Sequence, residues 1–187
     1  RPSSFLAGLC SERGGRLTYG RPPTRGPQME TVHVLIISDN RDEIERVRDL
    51  LRTEKGEAVR YHLDVVSEYR SALRDLVRNT YDIYLVDQIV PDAQLSGVEL
   101  IQKANAGGCR SPILLLTTMS DEDISWALDD MGAAGHIHKY LDFQERAFRN
   151  AIRVALRHYR DVTEVREQLR DLQRQVAELL QTFERRG

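Results

Sequence analysis

The stretch Tyr81-Asp82-Ile83-Tyr84-Leu85-Val86-Asp87 decides the reading of this chain. Four consecutive apolar residues, Ile83 to Val86, end abruptly on a carboxylate. An unbroken apolar run of this length, without alternation, predicts a central strand of a parallel sheet covered on both faces. The same grammar recurs on either side. Val32-His33-Val34-Leu35-Ile36-Ile37 runs into Ser38-Asp39, and Ile113-Leu114-Leu115-Leu116 stops at Thr117. A shorter run, Gly135-His136-Ile137-His138, stops at Lys139. In open α/β sheets the ligand site lies outside the carboxyl ends of the strands. The four runs therefore predict Asp39, Asp87, Thr117 and Lys139 along one sheet edge, a site for an anion held against a divalent metal.

Between the runs the pattern switches to helical spacing. Asp42 to Arg52 carries Ile44, Val47, Leu50 and Leu51 on one stripe, and Val59 to Val66 reads as a weaker, edge-ward second strand. Ser67 is a candidate N-cap for a helix through Val77. Gly97 to Ala106 and Asp121 to Met131 read as two further helices, the latter capped by Gly132. Strands alternating with helices of about ten residues predict right-handed crossovers and a parallel α/β sheet.

These residues resemble the receiver domain of two-component response regulators over about residues 32 to 158. The resemblance is carried by Val34-Leu35-Ile36-Ile37-Ser38-Asp39-Asn40, by Tyr81 to Asp87 with Pro91 four residues on, by Pro112 to Thr118, and by Gly132-Ala133-Ala134-Gly135 leading to Lys139. It implies a doubly wound, five-stranded, flavodoxin-like sheet of order 2-1-3-4-5. It implies Asp87 as the phosphorylated carboxylate, taking phosphate from a sensor histidine kinase or phosphotransfer protein. Mg²⁺ is the implied cofactor, held by Asp39, Asp87 and the backbone carbonyl of Ile89. Lys139 would stand as a point charge on a phosphoryl oxygen. Thr117 would hydrogen-bond the arriving group, with His136 at the aromatic switch position three residues before Lys139.

The chain departs from that pattern at several places. Ser38 stands where receivers carry the first of two adjacent acids, so weaker Mg²⁺ binding is expected. Gly97 comes two residues later than the pattern, which lengthens the loop Pro91-Asp92-Ala93-Gln94-Leu95-Ser96 beside the site. Tyr140 replaces the usual proline after the lysine. A competing reading follows: a receiver-like docking and dimerisation module that is never phosphorylated.

From about Asp142 to Arg186 there is neither proline nor glycine. Apolar residues fall at Phe148, Ile152, Ala155, Tyr159, Val162, Val165, Leu169, Leu172, Val176, Leu179 and Phe183. The steps alternate four and three, with one repeated three between Val162 and Val165: a heptad seam with a stammer. The first part is expected to be the last helix of the domain. The rest is expected to pair two chains as a coiled coil, giving a homodimer. The boundaries read as residues 1–28, 29–158 for the receiver and 159–187 for the coil.

Composition narrows the remaining classes. The net charge of −2 gives no reason to expect nucleic acid as a partner of this chain. No apolar stretch reaches the ~18–20 residues that span a bilayer, so no membrane partner and a cytoplasmic location are expected. Cys10 and Cys109 form no metal or redox pattern and read as reduced thiols. Residues 1–28 hold Pro2, Pro22, Pro23, Pro27, five Arg and one Glu, a composition that predicts disorder; Met29 just beyond suggests a start site assigned too far upstream or an added leader. No helix-turn-helix, cyclase or kinase motif appears, so the chain is expected not to be an enzyme, and its output to come through protein contact or a domain beyond Gly187.

Overall fold

The computed structural model describes residues 30–53, 57–89, 96–124 and 132–184. The expected disorder of residues 1–28, the lengthened loop at 91–95 and most of the helix expected over 121–131 lie outside them. Five parallel strands form one sheet: β1 (Glu30–Ile37), β2 (Val59–Val66), β3 (Ile83–Asp87), β4 (Ile113–Thr117) and β5 (Gly135–His138). Their order is β2-β1-β3-β4-β5, as the resemblance implies. Four helices are described in full: α1 (Arg41–Leu50), α2 (Tyr69–Arg78), α3 (Gly97–Ala106) and α4 (Glu145–Glu184). Residues 121–124 are helical as well.

The unbroken apolar runs are explained by two cores, one on each face. Alternate strand residues Val34, Ile36, Ile83, Leu85, Leu114, Leu116 and Ile137 pack under α1 and α4. The residues between them, Leu35, Ile37, Tyr84, Val86, Ile113 and Leu115, pack under α2 and α3. Every residue of β3 and β4 is buried. Only β2, at the sheet edge, alternates between partial burial and exposure, which is why its sequence pattern is weaker.

The helix boundaries correct some details. Helix α2 begins at Tyr69 with Glu68 as its N-cap and no side-chain capping bond, so Ser67 is not the cap. Helix α3 has a full capping box: Ser96 accepts from the Glu99 amide, and the Glu99 carboxylate accepts from the Ser96 amide. Gly132 adopts φ +69°, the left-handed conformation expected of a helix-terminating glycine.

Tyr84 is fully buried in β3 and its hydroxyl donates to the Asp75 carbonyl at 2.9 Å. Burial pushes its phenol up to about 12. A free tyrosine titrates near ~10, so the folded state holds this proton more tightly than the unfolded one. Stability is therefore intact below about pH 10 and falls as pH rises towards about 12, by roughly 2 kcal/mol from this group. Tyr84→Phe is expected to cost about 1 kcal/mol at neutral pH and to flatten that alkaline decline. Urea unfolding of both proteins at pH 8 and pH 11 checks this; equal alkaline losses would place the decline elsewhere.

Candidate functional site

The register of the sheet brings the strand ends together. Ile37 pairs with Val86, Asp87 with Leu116, and Thr117 with His138. Ser38, Asp87, Thr117 and Lys139 consequently follow one another along the carboxyl edge.

Asp87 is buried, and donors meet both of its oxygens. Lys139 Nζ donates to Oδ1 at 2.7 Å, and the Ile89 amide donates to the same oxygen at 3.2 Å. The fully buried Ser38 hydroxyl donates to Oδ2 at 3.1 Å. That hydroxyl also accepts from the Asn40 amide at 3.2 Å, which fixes the turn from β1 into α1. The Thr117 hydroxyl donates to Gln88 Oε1 at 2.6 Å and accepts from the Met119 amide at 3.0 Å. Asp39 is exposed at the rim. Ile89 is exposed, its backbone bridged to Ser96.

The structure adds a residue that the sequence reading passed over. Glu43, in the first turn of α1, is buried, and its Oε2 lies 2.5 Å from Lys139 Nζ. Its second oxygen, Oε1, is buried without a hydrogen-bond partner. Asn40 caps α1 by accepting from the Glu43 amide at 3.2 Å. In sequence, Asn40 followed three residues later by Glu43 reads as a helix cap. The Asn40 amide is taken by Ser38, however, and the Glu43 side chain turns to Lys139 instead. The available signal was an acid on the inward stripe with Val47 and Leu50.

Burial pushes the Glu43 carboxyl above the usual carboxylate range; the bond to Lys139 opposes this, and Asp87 and Asp39 add to it. Burial pulls Lys139 down, yet its bonds to Asp87 and Glu43 outweigh that and hold it above the ordinary lysine value. Burial is thus the main cause for Glu43, whereas for Lys139 the two carboxylates that share its ammonium outweigh burial.

The two histidines of β5 split. His136 Nε2 lies 2.8 Å from Asp121 Oδ1, while His138 Nδ1 accepts the amides of Tyr140 and Leu141 at 3.2 Å. His158 is exposed on α4. Burial pushes the Cys109 thiol up, as befits an unreactive cysteine. No helix among the described residues is long and apolar enough to cross a membrane.

Among the described residues no three His, Cys, Asp or Glu side chains form a ready-made metal cage. Mg²⁺ does not require one: it takes one or two protein carboxylates and keeps several waters. An all-oxygen donor set and a buried carboxylate oxygen without a partner fit such an ion.

Comparison with known proteins agrees with this architecture. The family model for the response regulator receiver domain matches residues 34–153. The transcriptional regulatory protein DltR of Streptococcus agalactiae is 25% identical over 122 residues, 65% of this chain and 51% of that protein. The uncharacterized transcriptional regulatory protein YkoG of Bacillus subtilis is 28% identical over 136 residues, 73% of this chain and 56% of that protein. The chain thus spans about half the length of these curated relatives. Among solved structures, the receiver domain of a sensor histidine kinase from Pseudomonas aeruginosa, with a magnesium ion coordinated in its active-site cleft, superposes with a TM-score of 0.53 at 21% identity, covering 67% of this chain and 98% of that one. With the family model spanning well over half its length, the chain belongs to the response regulator receiver domains.

Proposed function

We propose that the domain is a phosphorylation-driven switch, in which Asp87 accepts a phosphoryl group from a phosphohistidine of a sensor kinase or phosphotransfer protein. The observation that carries this reading is the direct bond from Lys139 Nζ to Asp87 Oδ1 at the end of β3, with Thr117 at the neighbouring strand end. A carboxylate oxygen of Asp87 attacks phosphorus as the P–N bond to the donor imidazole breaks, and the imidazole leaves with the electron pair. Charge spreads over the equatorial oxygens in the transition state, so the pocket works by positioning and neutralisation. Ser38 holds Asp87 in one orientation. Lys139 meets one developing charge. The Thr117 hydroxyl exchanges Gln88 for a phosphoryl oxygen, drawing the end of β4 inwards. Mg²⁺, an ion that the solved kinase receiver holds in its active-site cleft, would be held here by Asp39, Asp87 and the Ile89 carbonyl and would supply neutralising charge for the phosphoryl group.

His136 then senses the change through its contact with Asp121, where the helix at 121–124 begins. We assign residues 29–158 to the receiver and 159–187 to a coil that joins two chains, which gives the switch a dimeric output. One observation favours a second reading. The Ser38 hydroxyl and the Ile89 amide already occupy the two oxygens of Asp87, so the carboxylate is satisfied without a phosphoryl group.

Incubation with acetyl phosphate and Mg²⁺, read by intact mass, separates the two. One phosphoryl increment is expected in the wild type and none in Asp87→Asn. Labelling that survives the substitution moves the acceptor elsewhere. An unlabelled wild type at saturating Mg²⁺ selects the phosphorylation-independent module.

A further inference from the structure

We propose that Glu43 replaces the charge of the acid missing at Ser38, standing behind a divalent cation held by Asp39 and Asp87 and sharing Lys139 with Asp87. The inference rests on the magnesium-dependent reading of the pocket. Glu43 comes from α1, four residues beyond Asp39, rather than from the strand end. Its side chain is only 6% exposed, and Oε2 lies 2.5 Å from Lys139 Nζ. Oε1 is sealed from solvent with no partner. A buried carboxylate oxygen without a donor is costly, and native structures answer it with water or an ion. Helix capping does not account for the residue, because the Asn40 amide that a capping glutamate would reach is bonded to Ser38 Oγ.

The charge balance points the same way. Ser38 brings no charge and spends its hydroxyl orienting Asp87 Oδ2. Asp39, Glu43 and Asp87 against Lys139 leave two negative charges, the complement of one divalent cation. The serine therefore does not weaken the site as its position in the sequence suggests: the acid has moved five residues along the chain, from the end of β1 into the first turn of α1.

Calorimetric titration of Mg²⁺ into the full chain tests this, with wild type, Glu43→Gln and Ser38→Asp/Glu43→Gln compared. Glu43→Gln is expected to raise Kd about tenfold or more, the size of loss seen when a partner of a metal site is removed. The double variant is expected to regain most of that affinity. Thermal unfolding in EDTA accompanies each titration, and Glu43→Gln is expected to be at least as stable as wild type, since it relieves an underpaired buried charge. Equal Kd for wild type and Glu43→Gln overturns the role of Glu43 and leaves the magnesium reading standing. A double variant as weak as Glu43→Gln overturns the replacement of Ser38. Absence of Mg²⁺ binding by the wild type overturns the magnesium reading and this inference with it.

Discussion

Gly97→Ala is expected to destabilise the domain by about 3 kcal/mol and to slow any phosphorylation of Asp87. A Cβ built on Gly97 would stand 2.1 Å from the Asp87 carbonyl oxygen and 3.1 Å from the Gln88 Cα. Both obstacles are backbone, so no rotamer change relieves the overlap. The two segments are also tied together: the Gly97 amide donates to the Gln88 carbonyl at 2.8 Å, and Ile89 bridges to Ser96. Helix α3 must therefore back away from the end of β3. That shifts Asp87 relative to Ser38 and Lys139, whose bonds set its orientation. The requirement is close approach, since Gly97 is not among the glycines with positive φ. Urea unfolding reads the stability and acetyl phosphate labelling reads the chemistry. An unchanged urea midpoint would show that α3 has room to move.

The strand ends were legible because burial on both faces leaves a plain signature. Ile83 to Val86 and Ile113 to Leu116 are apolar without interruption, and each turns polar where the strand emerges at the sheet edge. Lys139 follows from the same logic, one residue past β5. Asp39, Asp87, Thr117 and Lys139 could thus be found by reading where hydrophobic runs stop. Glu43 could not, because it belongs to no run. It lies in a helical first turn, where glutamate is ordinary, and its role comes from Lys139, 96 positions away in sequence. Nor could the pairing of His136 with Asp121 be read from the alternation of β5, which shows only that His136 and His138 share one face of the sheet. The N-cap of α2 failed for a local reason: serine is the better capping residue, yet the cap falls one residue later, at Glu68, and the helix begins at Tyr69.

Leu172→Glu combined with Leu179→Glu is expected to convert a dimer to a folded monomer. Helix α4 runs unbroken for 40 residues, about 60 Å, but only its first turns are clothed by the domain. Phe148, Ile152, Ala155 and Leu156 are buried against the sheet, Tyr159 and Val162 are partly covered, and from Val165 to Leu179 the seam is bare. Val165, Leu169, Leu172, Val176 and Leu179 are between 48% and 62% exposed. Cover therefore ends at the stammer between Val162 and Val165. Upstream the heptad serves the receiver; downstream it is free to serve a partner helix of the same spacing. Burying the four leucines of a pair contributes about 6 kcal/mol or more, over four decades in dissociation constant, and glutamates in their place would also repel across the seam. Truncation after His158 is expected to give the same monomer, because it spares every residue of α4 that the core buries. Light scattering distinguishes the outcomes. A dimer of unchanged stoichiometry in both variants would put the contact on the receiver surface and make the exposed seam a tether.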